Sequence, residues 1–464
     1  MSLHRLSATD GVWLSLESPD MPMHVAFLME FTAPDGDADR FVRRWLAQVA
    51  APAELPRPWN LVPVSRLASL VREVDEVNLG EHIRTWELPQ PGGHEQLLEL
   101  ATRIHQQQLD LRRPPWEIHL VQGLGADRFA LILKVHHSLF DGASLMRLFT
   151  DTFSTDPDDR ETPHLFTVGR ANDAPPQRTS SNPLRVVLVA LRGVLEVLRG
   201  IGGAGRDALR RARGRRTAAQ RAYEQPPSIF DGPITGRRDL STRRYDLALF
   251  KRLAKAGECT INDIVLYLVS TALRGYLDAH GHLPARTLTA GVPMDLREQD
   301  DDRLGTRAGM MFTALATDIA DPRERLTAVK RSIDAAKRHM TGLSPNAAIG
   351  YGLAVTLPWI LGLNVGFDRM PSSHPMGVSN VPGPRRPLYW NGARLEALYP
   401  ISLLMHGNSF NVTCVGYTDA LHFGILGAAD KLPPLTEFTH ALDTALDELT
   451  TLLLPEEHSM PSAG

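Results

Sequence analysis

Residues 129–145 read Phe-Ala-Leu-Ile-Leu-Lys-Val-His-His-Ser-Leu-Phe-Asp-Gly-Ala-Ser-Leu, an apolar run that ends on two histidines and turns at Asp141-Gly142. The run has strand length, and Leu145, Leu148 and Phe149 follow at helical spacing, so strand, turn and helix succeed one another here. In an extended segment neighbouring side chains point to opposite faces. If the strand is regular, His136 and His137 therefore cannot serve one ligand together. One points inward and is structural; the other reaches a cavity at the strand end. Asp141 can fold back under the loop and hold it, while Gly142 permits a tight turn or close approach of a substrate. An imidazole is the natural proton acceptor near neutral pH, and a hydroxyl is a poor nucleophile until its proton is taken. No third His or Cys stands at ligand spacing, so no metal is expected, and the absence of a Gly-x-Ser-x-Gly elbow argues against a serine acyl-enzyme.

The rest of the chain is consistent with a large globular α/β protein. Hydrophobic residues make up 43% and charged residues 22% of 464, too apolar for disorder, and the net charge of -3 does not suggest a nucleic-acid partner. Cys259 and Cys414 make neither a disulfide framework nor a zinc site and fit a reducing cytoplasm. The N-terminus lacks a signal-peptide core, and no uninterrupted apolar window is long enough to span a membrane.

Three zones follow from composition, with a short flexible tail at 456–464. In the first, 1–160, strands are expected at 25–31, 116–123 and 128–136, with a helix over 96–109. The second, 161–238, is a helical and basic connector: an apolar helix over 184–199, then arginines at 206, 210, 211, 213, 215 and 216. Such a segment suits either a membrane surface or a solvated interdomain loop. In the third, 239–455, Thr260-Ile261-Asn262-Asp263 has the capping-box pattern of a helix start. Strand 288–294, helix 321–340 and a hairpin around Thr418-Asp419 follow. The run 353–363 with Trp359 reads as a buried helix or the lining of an acyl channel.

The His136-His137-x-x-x-Asp141-Gly142 segment resembles the acyltransferase superfamily that includes peptide-synthetase condensation domains and chloramphenicol acetyltransferase. Within it the chain is similar, over nearly its whole length, to the bacterial wax ester synthase/diacylglycerol acyltransferases. Five further blocks carry this likeness: 6–10 with 21–25, 109–117, 261–266, 292–297 and 379–384. Pro115 departs from the Pro-Leu-Trp block, Thr306-Arg307 stands where Asn is usual, and the segment before Pro58 is compressed; these bear on substrate preference.

The resemblance implies two chloramphenicol-acetyltransferase-like subdomains with an active-site tunnel between them. It implies His137 as proton acceptor, His136 beside it, Asp141 as an architectural residue salt-bridged to Arg297, and Asn262 helping to position the thioester. Asn262-Asp263 can equally be a helix cap. Gly142, Trp116, Ser379 and Asn380 are the expected substrate-side residues, although Trp116 also reads as a core anchor of its strand. The implied reaction joins acyl-CoA to diacylglycerol or a long-chain alcohol, with acyl-CoA as co-substrate and no cofactor. Contact with the inner membrane face or lipid inclusions is also expected. A condensation-type enzyme using a carrier-protein thioester, or a catalytically silent lipid-binding homologue, are the alternatives.

Overall fold

The computed structural model describes residues 3–49, 52–66, 68–169, 223, 225–295, 308–343, 345–364, 366 and 372–454. The connector helix expected at 184–199, the arginine-rich segment after it, Arg297 and the tail lie outside these residues.

The apolar run before the histidines is the strand β7 (Arg128–His136) of a six-stranded mixed sheet. Its neighbours are β2 (His24–Thr32) and β6 (Trp116–Gln122), both antiparallel to it. β5 (Ile83–Glu87) runs parallel to β6 at one edge. The β6–β7 hairpin turns where expected, with Gly123 and Gly125 at φ of 87° and 122°, conformations that favour glycine. Helix α1 (Ala8–Leu16) precedes β2, and α2 (Ala38–Gln48), α3 (His94–Gln106) and α4 (Gly142–Thr152) complete the first half. β1 (Leu3–Arg5), β3 (Leu61–Ser65) and β4 (Leu70–Glu73) form a separate small sheet.

A second six-stranded mixed sheet has the order β10-β9-β11-β14-β15-β8. It comprises β8 (Arg238–Asp246), β9 (Thr289–Asp295), β10 (Ala308–Ala314), β11 (Met376–Val381), β14 (Phe410–Tyr417) and β15 (Ala420–Ala428). Helices α5 (Leu247–Ala256), α6 (Ile261–Ala279), α7 (Pro322–Thr341), α8 (Pro345–Asn364) and α9 (Leu435–Leu453) belong to this half of the chain. The expected capping box opens α6: Thr260 Oγ1 accepts the Asp263 amide at 3.2 Å and Asp263 Oδ2 accepts the Thr260 amide at 2.8 Å.

The halves are not separable at the connector. β12 (Tyr389–Trp390) and β13 (Ala393–Ile401) come from late in the chain yet extend the first sheet, in the order β12-β13-β2-β7-β6-β5. Burial explains the placement. Trp390 is 1% exposed and its ring lies 5.2 Å from Trp45, 5.5 Å from Phe41 and 5.6 Å from Phe31. An aromatic anchor of that kind contributes roughly 3–5 kcal/mol relative to alanine. Nothing in the spacing announced this strand exchange. The two sheets meet where β15 crosses β13: a Cβ on Gly424 would lie 1.6 Å from the Pro400 carbonyl oxygen. Glycine at 424 is what permits that approach.

Candidate active site

His136 is the last residue of β7, and His137 is the first residue of the turn beyond it. The strand therefore ends between them, so strand alternation does not govern His137, and the two side chains sit in different environments. His136 is 1% exposed. Its Nδ1 accepts the Ser138 amide at 3.1 Å and lies 2.7 Å from Ser138 Oγ, which leaves Nε2 to carry the proton. Nε2 faces the Glu17 carboxylate at 3.5 Å, an electrostatic distance rather than a hydrogen bond.

His137 keeps partial exposure. Its amide donates to the Met23 carbonyl at 2.8 Å. The Met23 amide in turn donates to Glu17 Oε2 at 2.5 Å, so one carboxylate braces the segment on which His137 hangs. The His137 ring stacks on Trp13 with centroids 4.4 Å apart and planes 29° from parallel. Nδ1 is buried without a hydrogen-bond partner among the described residues. Burial lowers the pKa of His137 below the usual 6.5, opposed by its own backbone carbonyl and by the charges of Asp141 and Asp10. The imidazole is therefore neutral at physiological pH.

Asp141 is the N-cap of α4, with Oδ1 accepting the Ser144 amide at 2.8 Å. It thus fixes the start of the helix that follows the histidine turn. Its expected partner Arg297 lies outside the described residues. Gly142 opens toward the second half of the chain, since a Cβ there would meet Val381 Cγ2 at 3.7 Å. Val381 of β11, the strand that carries Ser379 and Asn380, thus lies beside the first residue of α4. Both are half-buried, and Asn380 Oδ1 accepts from Cys414 Sγ at 3.4 Å. Asn262 is the second residue of α6, half-buried and outside the capping box made by its neighbours Thr260 and Asp263. α6 packs on β11. Among the described residues no hydrogen bond joins the Asn262 side chain to the histidine turn.

Trp116 is 1% exposed, stacks on His82 at 4.2 Å and donates from Nε1 to the Trp59 carbonyl at 2.9 Å. Its indole is packed and satisfied inside the first sheet, the environment of a core anchor rather than of a surface open to substrate. Trp359, expected in a buried helix or a channel wall, is also 1% exposed and donates to the His406 carbonyl at 3.0 Å.

Trp13 and Glu17 escaped notice in the sequence, and Asp10 entered only as the end of the block 6–10. Asp10 and Trp13 share one face of α1 by their spacing of three and Glu17 is its C-cap, and Asp10-x-x-Trp13-x-x-x-Glu17 is the signal that would have found them. Glu17 also lines a surface cleft of about 410 Å³, with Arg66, Gln108 and Arg112 in its wall. Among the described residues, no group of three His, Cys, Asp or Glu side chains could hold a metal ion.

Two family profiles match this chain in sequence order. The "wax ester synthase/diacylglycerol acyltransferase catalytic domain" covers residues 6–265, and the "WS/DGAT C-terminal domain" covers 304–450. The chain belongs to the wax ester synthase/diacylglycerol acyltransferase family. It is 30% identical to the O-acyltransferase WSD of Acinetobacter baylyi, over 97% of this chain and 98% of that one. A Mycobacterium tuberculosis protein bearing the name of a diacylglycerol O-acyltransferase is 33% identical, over 96% and 97% of the two chains. The solved wax ester synthase/diacylglycerol acyltransferase from Marinobacter aquaeolei superposes with a TM-score of 0.75 at 30% identity, covering 97% of this chain and 99% of that one. A condensation domain of the calcium-dependent antibiotic synthetase shares the fold at TM-score 0.60 and 16% identity. The two-half fold expected from the resemblance is thus the observed one. The protein is an acyltransferase of neutral-lipid biosynthesis, working on an acyl donor and an alcohol or diacylglycerol acceptor.

Proposed function

We propose that the protein transfers a fatty acyl group from acyl-CoA to diacylglycerol or a long-chain alcohol in one direct step, with His137 as general base. The observation that carries this reading is the neutral imidazole just past the end of β7, braced by Met23 and Trp13. The tautomer that serves this role carries its proton on the buried Nδ1. With the proton on Nδ1, the lone pair sits on Nε2. Nε2 takes the acceptor hydroxyl proton as the oxygen attacks the thioester carbonyl carbon. The tetrahedral adduct then collapses, the carbon–sulfur bond breaks, and the imidazolium returns its proton to the departing CoA thiolate. Asn262 is assigned to the thioester or its developing oxyanion, where a fixed donor is worth most. Ser379 and Asn380 are assigned to the substrate side of the same space, because β11 passes beside Gly142 at the start of α4.

Substrates this apolar must be met at an interface, and attachment to the inner membrane face or to lipid inclusions through the basic connector belongs to the proposal. Sedimentation with anionic vesicles tests it, and failure to sediment at low salt would remove it.

The decisive assay supplies palmitoyl-CoA with either hexadecanol or dioleoylglycerol and follows thiol release and ester formation. No ester with either acceptor would sink the proposal. His137→Ala should lower turnover by about 10²- to 10⁴-fold, the usual worth of a positioned base, with an unchanged circular-dichroism melt. Because the active form is the unprotonated imidazole and its pKa is lowered, the wild-type rate should hold its plateau down through pH 6.5 and fall only in more acid solution.

A further inference from the structure

A histidine used as a base usually has its second ring nitrogen tied to a carboxylate or carbonyl that fixes the ring's orientation. Among the described residues His137 Nδ1 has no hydrogen-bond partner. The torsion that turns an imidazole about its stem is broad, and His137 sits in a turn outside the strand. Something else must hold its plane. The group that covers the ring is the indole of Trp13, at 4.4 Å and 29°. Trp13 stands on α1 between Asp10 and Glu17, and the latter braces Met23 and through it the His137 amide. Helix α1 and its C-cap Glu17 therefore hold His137 twice, by ring and by backbone, and the helix also packs against α8 from the second half of the chain. Trp13 Nε1 is itself buried without a hydrogen-bond partner among the described residues. Since a buried indole N–H ordinarily finds an acceptor, this ring is held for its face and not for its donor.

We propose that Trp13 is a positioning residue for the transfer reaction: its indole face fixes the plane of the His137 ring and so aims the ring's outward nitrogen at the acceptor hydroxyl. The proposal rests on His137 being the base. Stacking also keeps water from the imidazole. The charged and polar groups facing that ring are Asp141 at the start of α4, Asp10 on α1, His136 at the end of β7 and the ring's own carbonyl. With the indole removed, hydration would carry the imidazole pKa back up toward 6.5 while those groups stay in place.

The test uses the full chain with palmitoyl-CoA and hexadecanol, comparing W13F, W13A, W13L and H137A between pH 5 and 8, each with its melting temperature. W13A should lower kcat by about 10- to 100-fold, as misplacement of a reacting group does, with the KM for the alcohol changed by less than about three-fold. Its acid limb should move to higher pH. W13F, which keeps a ring face and lacks the N–H, should recover both the rate and the limb. If W13A does not fold, W13L against W13F makes the same comparison, with W13L slow. An unchanged acid limb in W13A or W13L, or a W13F as slow as either, overturns the proposal. An inactive H137A beside a wild-type-like W13A removes the role of Trp13 alone, whereas an active H137A removes the base assignment beneath it.

Discussion

Asp141 has a structural task that the fold makes visible. Its carboxylate caps α4 immediately after the histidine turn. Replacing it by alanine should cost about 1 kcal/mol through the lost cap alone, read as a lower denaturation midpoint. D141N, which can still cap, should retain most of that stability, and a D141A protein melting like wild type would count against the role. The two histidines were legible as a pair at a strand end, but alternation presupposes a regular strand through both, and the strand stops between them. Trp13 was not legible. An aromatic residue at helical spacing near the N-terminus reads as core, and only the fold shows which ring it covers. Asn262 was legible as part of a helix start, yet its neighbours make the cap and leave its side chain outside it.

At the scale of elements, the contact between β15 and β13 depends on a position without a side chain. Gly424→Ala would place a methyl group within van der Waals conflict of the Pro400 backbone, which cannot step aside as a flexible side chain could. Overpacking of this kind costs about 1–3 kcal/mol. G424A should lower the denaturant midpoint, and an equal midpoint would show that the sheets can separate there at little cost. The elements flanking the motif were readable because each carries its own local signal. β6 and β7 have a Gly-containing turn, α6 has Thr260 and Asp263, and α7 has Asp321 ahead of Pro322. β13 has no such signal about its destination. Its partner β2 lies far back in the chain, and pairing is decided by where Trp390 and the inward-facing side chains can be buried. The small β1-β4-β3 sheet escaped for the same reason.

Across the whole molecule, buried histidines make the fold sensitive to acid. Burial lowers the pKa of His105 to about 3 and those of His374 and His422 to about 4. Below the ordinary value near 6.5 the unfolded chain takes up protons at these sites that the folded protein refuses, so stability falls as pH drops from 6.5 toward 4. Each site contributes up to about 1.4 kcal/mol per pH unit within that window, and none above it. The melting temperature should be nearly flat from pH 8 to 7 and then drop clearly by pH 5.5. A protein that melts no lower at pH 5.5 than at 7.5 would refute the assignment. No helix among the described residues is long and apolar enough to cross a membrane.

The return of residues 389–401 to the first sheet also sets the order in which the molecule can be made. During synthesis β2 leaves the ribosome long before the strand that must lie beside it, so the nascent chain carries an open, apolar sheet edge until most of the protein has emerged. Such edges invite pairing with foreign strands. Cutting the gene at the connector would yield a leading fragment, 1–222, with β2 unprotected, and a trailing fragment, 223–464, with an orphaned β13. Each alone should aggregate. Produced together they should find each other and restore ester synthesis, a complementation that independent halves would neither need nor perform.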